Sequence, residues 1–242
     1  MRNLLIGTAL ASAVGAVPLV ALAGDPELPA FDAAMFKAGV ANPYVSLELG
    51  HSQALAGRME NGSIERDVIT VFGHGPEIIG VATVAVQDDA FADDRLVEQT
   101  VDYFATDAEG NLWYFGEDVT NYRYDAKGRL IGSDAQSSWR AGVNGAMPGI
   151  AVPAHPVVGE VQFQEHAPAD AATDYAEVVA VDAVITVGDR EFREVLKLFE
   201  SSTSEPDLRE FKYYAKGVGL IRAEEDLSEA LDAPAMVLDI LP

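Results

Sequence analysis

The chain contains no cysteine, and its 16 Lys and Arg are outnumbered by 39 Asp and Glu. The first fact removes disulfides, thiol catalysis and thiolate metal ligation together. The second gives a net charge of −23, a field that repels nucleic acid and anionic membrane surfaces. The acids are spread along the chain and form no single block. That distribution reads as a solvated surface, with cation affinity as the functional alternative. Histidine is scarce as well: His51, His74, His155 and His166 are never closer than eleven residues, so the short imidazole spacing of a zinc motif is missing. No G-x-S-x-G marks a nucleophile elbow, and no Gly-rich strand-to-helix turn or P-loop marks a nucleotide site. No cofactor is expected.

Long apolar runs are missing with one exception, Leu4 to Leu22. It follows a single cation at Arg2 and ends in Ala21-Leu22-Ala23, the pattern of a cleaved secretory signal. Residues 1–23 are therefore expected to direct export to the periplasm or the medium, with no stable membrane insertion after cleavage. Residues 24–41 read as an extended lead-in with a short helix near Asp32 to Ala38, and residues 42–242 as one domain. A domain of that length can bury a sufficient core without disulfides.

From Ile64 onward, β-branched and aromatic residues alternate with polar ones in blocks such as IERDVITVFG, IIGVATVAVQDD, RLVEQTVDYFATD and NLWYFGEDVTNYRYD. Two turns are explicit. Asp107 with Gly110-Asn111, and Asp125 with Gly128, supply the Asx side chain and the tolerance of positive φ that tight hairpins require. The block REFREVLKLFESS also fits a helical period, but Gly188-Asp189 before it is a hairpin turn signal and favours a strand. LSEALDAP near the end reads as a short helix. The expected fold is mainly β: a curved antiparallel sheet, half-barrel or sandwich of roughly eight to eleven strands with short terminal helices.

The segment Trp139 to Pro156 is too long for a hairpin turn and too apolar for a linker, so it is expected to fold over one open end of the sheet as a lid. His155 would sit at its exit. His155, Glu165 and His166 are the candidates for acid–base chemistry. The carboxylates Glu117-Asp118 and Glu165 follow strongly apolar strands, and strand-end solvation is their plainer explanation. Asp107 and Asn111 could contribute oxygen ligands to a cation, although turn formation explains both and no calcium-loop pattern surrounds them. Trp113, Phe115, Tyr122, Trp139, Tyr213 and Tyr214 are the candidate ligand-binding residues. Aromatics with polar tips on a concave sheet commonly enclose a ligand, while core packing is their plainer explanation.

The motifs WYFGE, AGVNGAMPGI, PAHP and KYYAKGVGL, in that order, resemble a group of exported bacterial β-rich proteins of unassigned activity. The likeness runs from about Asn42 to Ile221. Where that group has Pro after Tyr-Tyr-Ala, this chain has Lys216. The closing hairpin is also similar to that of periplasmic lipoprotein-carrier-like half-barrels, which implies a curved antiparallel sheet around an apolar cavity. On this basis the expected activity is binding or carriage of a small apolar or amphipathic ligand. An extracytoplasmic acid–base enzyme and an acidic cation-binding envelope protein are the alternatives.

Overall fold

The computed structural model describes residues 24–36, 40–59 and 62–242. The expected signal peptide, and the end of the expected lead-in helix, lie outside the described residues. Among the described residues, fifteen strands, more than the eight to eleven expected, form one antiparallel sheet. They are β1 (Ser52–Arg58), β2 (Ile64–Ile78), β3 (Val81–Ala92), β4 (Arg95–Thr106), β5 (Leu112–Tyr124), β6 (Leu130–Asp134), β7 (Trp139–Arg140), β8 (Met147–Val152), β9 (Val161–Phe163), β10 (Glu165–His166), β11 (Asp174–Val187), β12 (Arg190–Ser202), β13 (Arg209–Ala215), β14 (Gly219–Glu225) and β15 (Met236–Ile240). The two predicted hairpins form as read. Asp107 N–H pairs with Asn111 C=O and Asp125 N–H with Arg129 C=O, while Gly110 and Gly128 adopt positive φ. REFREVLKLFESS is strand β12.

Sheet order runs β10-β8-β5-β4-β3-β2-β1-β15-β14-β13-β12-β11-β9. Its two ends are consecutive in the chain. Val161–Phe163 pairs with β11, and Glu165–His166 pairs with β8. One six-residue segment, interrupted at Gln164, therefore spans the seam of a nearly closed barrel. The Gln164 amide donates to Ala151 C=O on β8 (3.0 Å) and to Glu200 on β12 (3.0 Å). A Cβ at Gly149 would lie 2.2 Å from Phe163 C=O, so glycine there lets the seam backbones approach.

Three expectations change. Helix is limited among the described residues to two 3-10 turns, Ala33–Met35 and Pro168–Asp170. The tail that read as helix makes turns and then β15, because Met236 and Leu238 are buried against Leu55 and Ala223. Trp139 to Pro156 is not a lid. It holds β7 and β8, both paired with β5, and the apolar residues that called for burial are satisfied by joining the wall.

Alternation sends each strand's side chains to opposite faces of the wall. On β4 and β5 the outward set is Tyr103, Ala105, Trp113 and Phe115, covered by Phe31, Met35 and Phe36 of the lead-in. Phe36 meets Phe115 edge-to-face at 5.3 Å and Trp113 at 5.6 Å. On the other side, Phe199, Phe211 and Tyr213 pack outward against Val187 and Phe192 of the long β11–β12 hairpin. Clusters of this kind hold the wall's shape, since truncating a buried Phe costs about 3–5 kcal/mol. The uncovered outer wall carries Arg66 stacked on Phe91, and Asp89 held by Gln87 and Gln99. Such residues contrast with the apolar outward band of a membrane-spanning barrel. Among the described residues no helix is long and apolar enough to cross a membrane.

Candidate functional site: a lumen with one apolar and one acidic end

The inward positions change character along almost every strand. Reading β2 inward gives Val71, Ile69, then Asp67; β4 gives Phe104, then Asp102; β12 gives Leu196 and Leu198, then Glu200; β13 gives Tyr214, Lys212, then Glu210. Antiparallel pairing brings like ends together. The result is a lumen apolar at one end and acidic at the other.

The apolar end is corked by residues 42–48. Asn42 fixes this segment: its amide donates to Gly110 C=O and Val152 C=O, and its Oδ1 accepts from the Tyr44 and Val45 N–H groups. Tyr44 packs with Leu112, Val152, Leu196, Leu198 and Tyr214. Beneath this plug lies a cavity of about 400 Å³, lined on its apolar side by Val45, Leu47, Ile69, Val86, Phe104 and Leu220. A second cavity of about 280 Å³ adjoins it at the acidic end. Asp67, Asp88, Asp102, Glu117 and Glu225 line both, so the two share a wall.

Eleven carboxylates line these cavities, the remaining six being Glu65, Glu98, Glu165, Asp174, Glu200 and Glu210. Among the described residues, Lys212 is the lone Lys or Arg lining either cavity. Its ammonium sits 2.6 Å from Glu200 and 3.5 Å from Glu210. Burial acts against the charged lysine, yet Glu200 and Glu210 prevail and hold its pKa well above the ordinary value. Other lining acids respond in the opposite way. Burial, then the charges of Glu165 and Asp102, pushes Glu117 up to about 9. Burial and then Glu210 push Glu225 up to about 8. Burial and then Asp174 push Glu165 up to about 8. Asp102 reaches only about 6, because Tyr114 donates to it at 2.6 Å and offsets part of its burial. Asp88 is raised well above a normal aspartate by burial, Asp67 and Asp102, and its buried Oδ1 has no hydrogen-bond partner.

Glu117 enters the lumen through a bulge. Asp102 pairs with Glu117 and Phe104 with Tyr114, so two residues of β5, Phe115 and Gly116, stand against Tyr103 alone. Gly116 takes φ +135°, and a Cβ there would lie 2.5 Å from Trp139 C=O. The extra residue resets the alternation, so Tyr114 and Glu117 both point inward.

Of the six aromatics predicted to bind a ligand, only Tyr214 lines the lumen. Trp113 and Phe115 belong to the outward cluster under the lead-in; Trp139, the register partner of Glu117, packs edge-on against Tyr114 at 5.4 Å without lining either cavity; and Tyr213 faces outward, donating to Glu224 at 2.8 Å. Tyr122 is half-buried and lines neither cavity. The face of β5 opposite Trp113 supplies a further lumen aromatic, Tyr114. His155, Glu165 and His166 are not brought together as a lumen site. Glu165 lines the lumen, His155 is exposed, and His166 packs its ring against Phe163 at 4.8 Å. Gln164 joins Glu165 in the lumen and does not share the face of His166, because the strand breaks there. Glu117 and Glu165, expected at solvated strand ends, instead line the lumen, the first half-buried and the second buried; Asp118 faces outward, accepting from Tyr103 and Arg140.

Asp107 and Asn111 form a turn hub. Asp107 is fully buried and accepts from the Glu109 and Asn111 N–H groups, the Asn111 amide and the Trp113 indole. Both carboxylate oxygens are thereby engaged by the protein itself. Among the described residues no three His, Cys, Asp or Glu groups converge so as to hold a metal ion.

Fold and site together define a class: an antiparallel barrel enclosing a ligand-sized lumen of two opposed chemistries. Compared with family models, curated proteins and solved structures, the chain matches none.

Proposed function

We propose that this is an exported binding or carrier protein that holds a small amphiphilic molecule inside its barrel. The observation that carries the reading is the lumen itself. A cavity of about 400 Å³ falls in the range of roughly 300–1,000 Å³ common for small-molecule sites. Its apolar end suits a hydrocarbon body and its acidic end a polar head. Burial of the body releases about 25 cal/mol per Å² of apolar surface removed from water, which is the driving force such a carrier would use. Export rests on the signal-like residues 1–23 and predicts a mature chain beginning at Gly24.

The test is direct titration with N-phenyl-1-naphthylamine, a neutral apolar fluorophore, into the purified mature protein and its Ala151→Trp variant. Ala151 lines the cavity, so the added indole occupies ligand space. Saturable fluorescence enhancement in the wild type, reduced at least tenfold in affinity in a variant of unchanged circular dichroism, is expected. Equal binding by both proteins, or none by the wild type, sinks the reading.

A further inference from the structure

We propose that the polar head of the lumen's ligand is a protonated amine, seated among Asp88, Asp67, Asp102, Glu117 and Glu225, with its hydrocarbon body lying toward Phe104, Leu220 and the plug. This deepens the carrier reading and rests on it.

Three independent observations converge on the head-group charge. Asp88 presents a buried oxygen that no group among the described residues satisfies, between the two cavities. Native structures rarely leave a buried acceptor unpaired, and a ligand donor is one of the ordinary explanations. The lumen also already holds one ammonium of its own. Lys212 is seated on Glu200 and Glu210, and its environment favours the charged form despite burial. An amine entering next to it would meet Asp88, Asp102 and Glu225, whose burial the charge of Lys212 offsets only in part. Lastly, the donors are spread around the barrel wall instead of clustered, and no three of the described ones converge as a metal site does. An –NH₃⁺ group can be held by one or two such carboxylates, whereas a small hard cation requires six to eight oxygens at about 2.3–2.6 Å.

The apolar end distinguishes an amphiphilic amine from a wholly polar one. Ile69, Val86, Phe104, Leu112 and Leu220 line the same continuous space as the carboxylates. A polyamine would leave that wall facing water, whereas an alkyl chain covers it.

The deciding experiment is calorimetric titration at pH 7 with three ligands of one chain length, decylammonium, decanol and decanoate, each below its aggregation threshold. Calcium chloride is titrated separately. Wild-type protein is expected to bind decylammonium at least tenfold more tightly than decanol, and decanoate more weakly than either. Asp88→Asn is expected to weaken decylammonium at least fivefold while leaving decanol within twofold. Decanol binding as tightly as decylammonium would overturn the amine head and leave the carrier reading standing. Failure of all three chains would overturn both. Calcium binding without amine binding would replace the amine with a hard cation. Should Asp88→Asn not fold, Asp67→Asn serves in its place, and the ranking of the three wild-type affinities decides the matter alone.

Discussion

The apolar and acidic ends of the lumen are made by the same strands in the same register, and differ only in which side chains take the inward positions. At the apolar end, Leu196, Leu198 and Phe104 pack with the plug. Each removes hydrocarbon from water and stabilises the barrel. At the acidic end, Asp88, Glu117 and Glu225 are desolvated next to one another. Each costs free energy in its charged form. An amphipathic wall usually divides its polar and apolar residues between two faces of a strand, whereas here they are divided along one face. One half of the lumen therefore supports the fold, and the other holds unfavourable interactions that a bound cation would relieve. Sites built for ligands commonly carry such local cost.

The largest effect expected to separate the two ends is Lys212→Met. Removing the ammonium leaves Glu200, 4 % exposed, without its ion-pair partner. Breaking a buried pair in this way costs about 3–5 kcal/mol. The loss should be full at pH 8 and shrink towards pH 5, as Glu210, pushed up to about 7 by burial, takes up a proton. Urea midpoints at the two pH values measure it, and a loss independent of pH would show that the acidic end does not behave as a coupled set. Leu198→Ala probes the opposite end. Its side chain is 0 % exposed, so truncation should cost about 2–5 kcal/mol. Here the loss should be the same at pH 5 and pH 8, and a strong pH dependence would contradict the separation of the two ends.

Much of the wall was legible and its orientation was not. Asp107 and Asp125 announced their hairpins, because an Asx side chain followed by glycine has one common use in a β sequence. Gly188-Asp189 decided the strand at β12 against a competing helical period. Alternation correctly put Trp113 and Phe115 on one face and Tyr114 on the other. It carried no information about which face is concave, since both are buried: one under Phe31 and Phe36, the other in the lumen. Glu117 was hidden by the bulge, as strict alternation places it with Trp113. The clue was the glycine in WYFGE, which inside a strand signals a bulge. The carboxylate cage was illegible for a different reason. Glu210 and Glu225 lie at strand ends and Asp102 and Glu117 in mid-strand, each reads by itself as a solvated acid, and only the closing of the barrel sets them around one space. A partial signal existed in EFKYYA, where Glu210, Lys212 and Tyr214 share one face and Phe211, Tyr213 and Ala215 the other. Neither face resembles an ordinary solvated or ordinary core face.

The smallest of these effects, and the one that tests the acidic end most closely, is the pH dependence carried by Glu117. Its folded pKa is raised from 4.5 to about 9. Below about pH 4.5 the group is protonated whether the chain is folded or not, and contributes no pH dependence. Between 4.5 and 9 the unfolded chain has released the proton and the folded one retains it, so unfolding releases a proton and stability falls as pH rises. Glu165 and Glu225, each raised to about 8, act in the same direction. The ligand-free protein is thus expected to lose stability steadily from pH 5 to pH 8, against the rise seen where native carboxylates are paired. Glu117→Gln stays neutral throughout and should remove part of that slope. It should be within about 0.5 kcal/mol of wild type at pH 5, and more stable by about 1–3 kcal/mol at pH 8, since a tenfold change in proton affinity corresponds to about 1.4 kcal/mol and the neighbouring acids share the charge. Urea unfolding across that range reads both. A wild type that grows more stable towards pH 8, or a Glu117→Gln variant with an unaltered slope, would mean that the acidic end is already neutralised without a ligand. The difference between the two ends would then be one of composition alone.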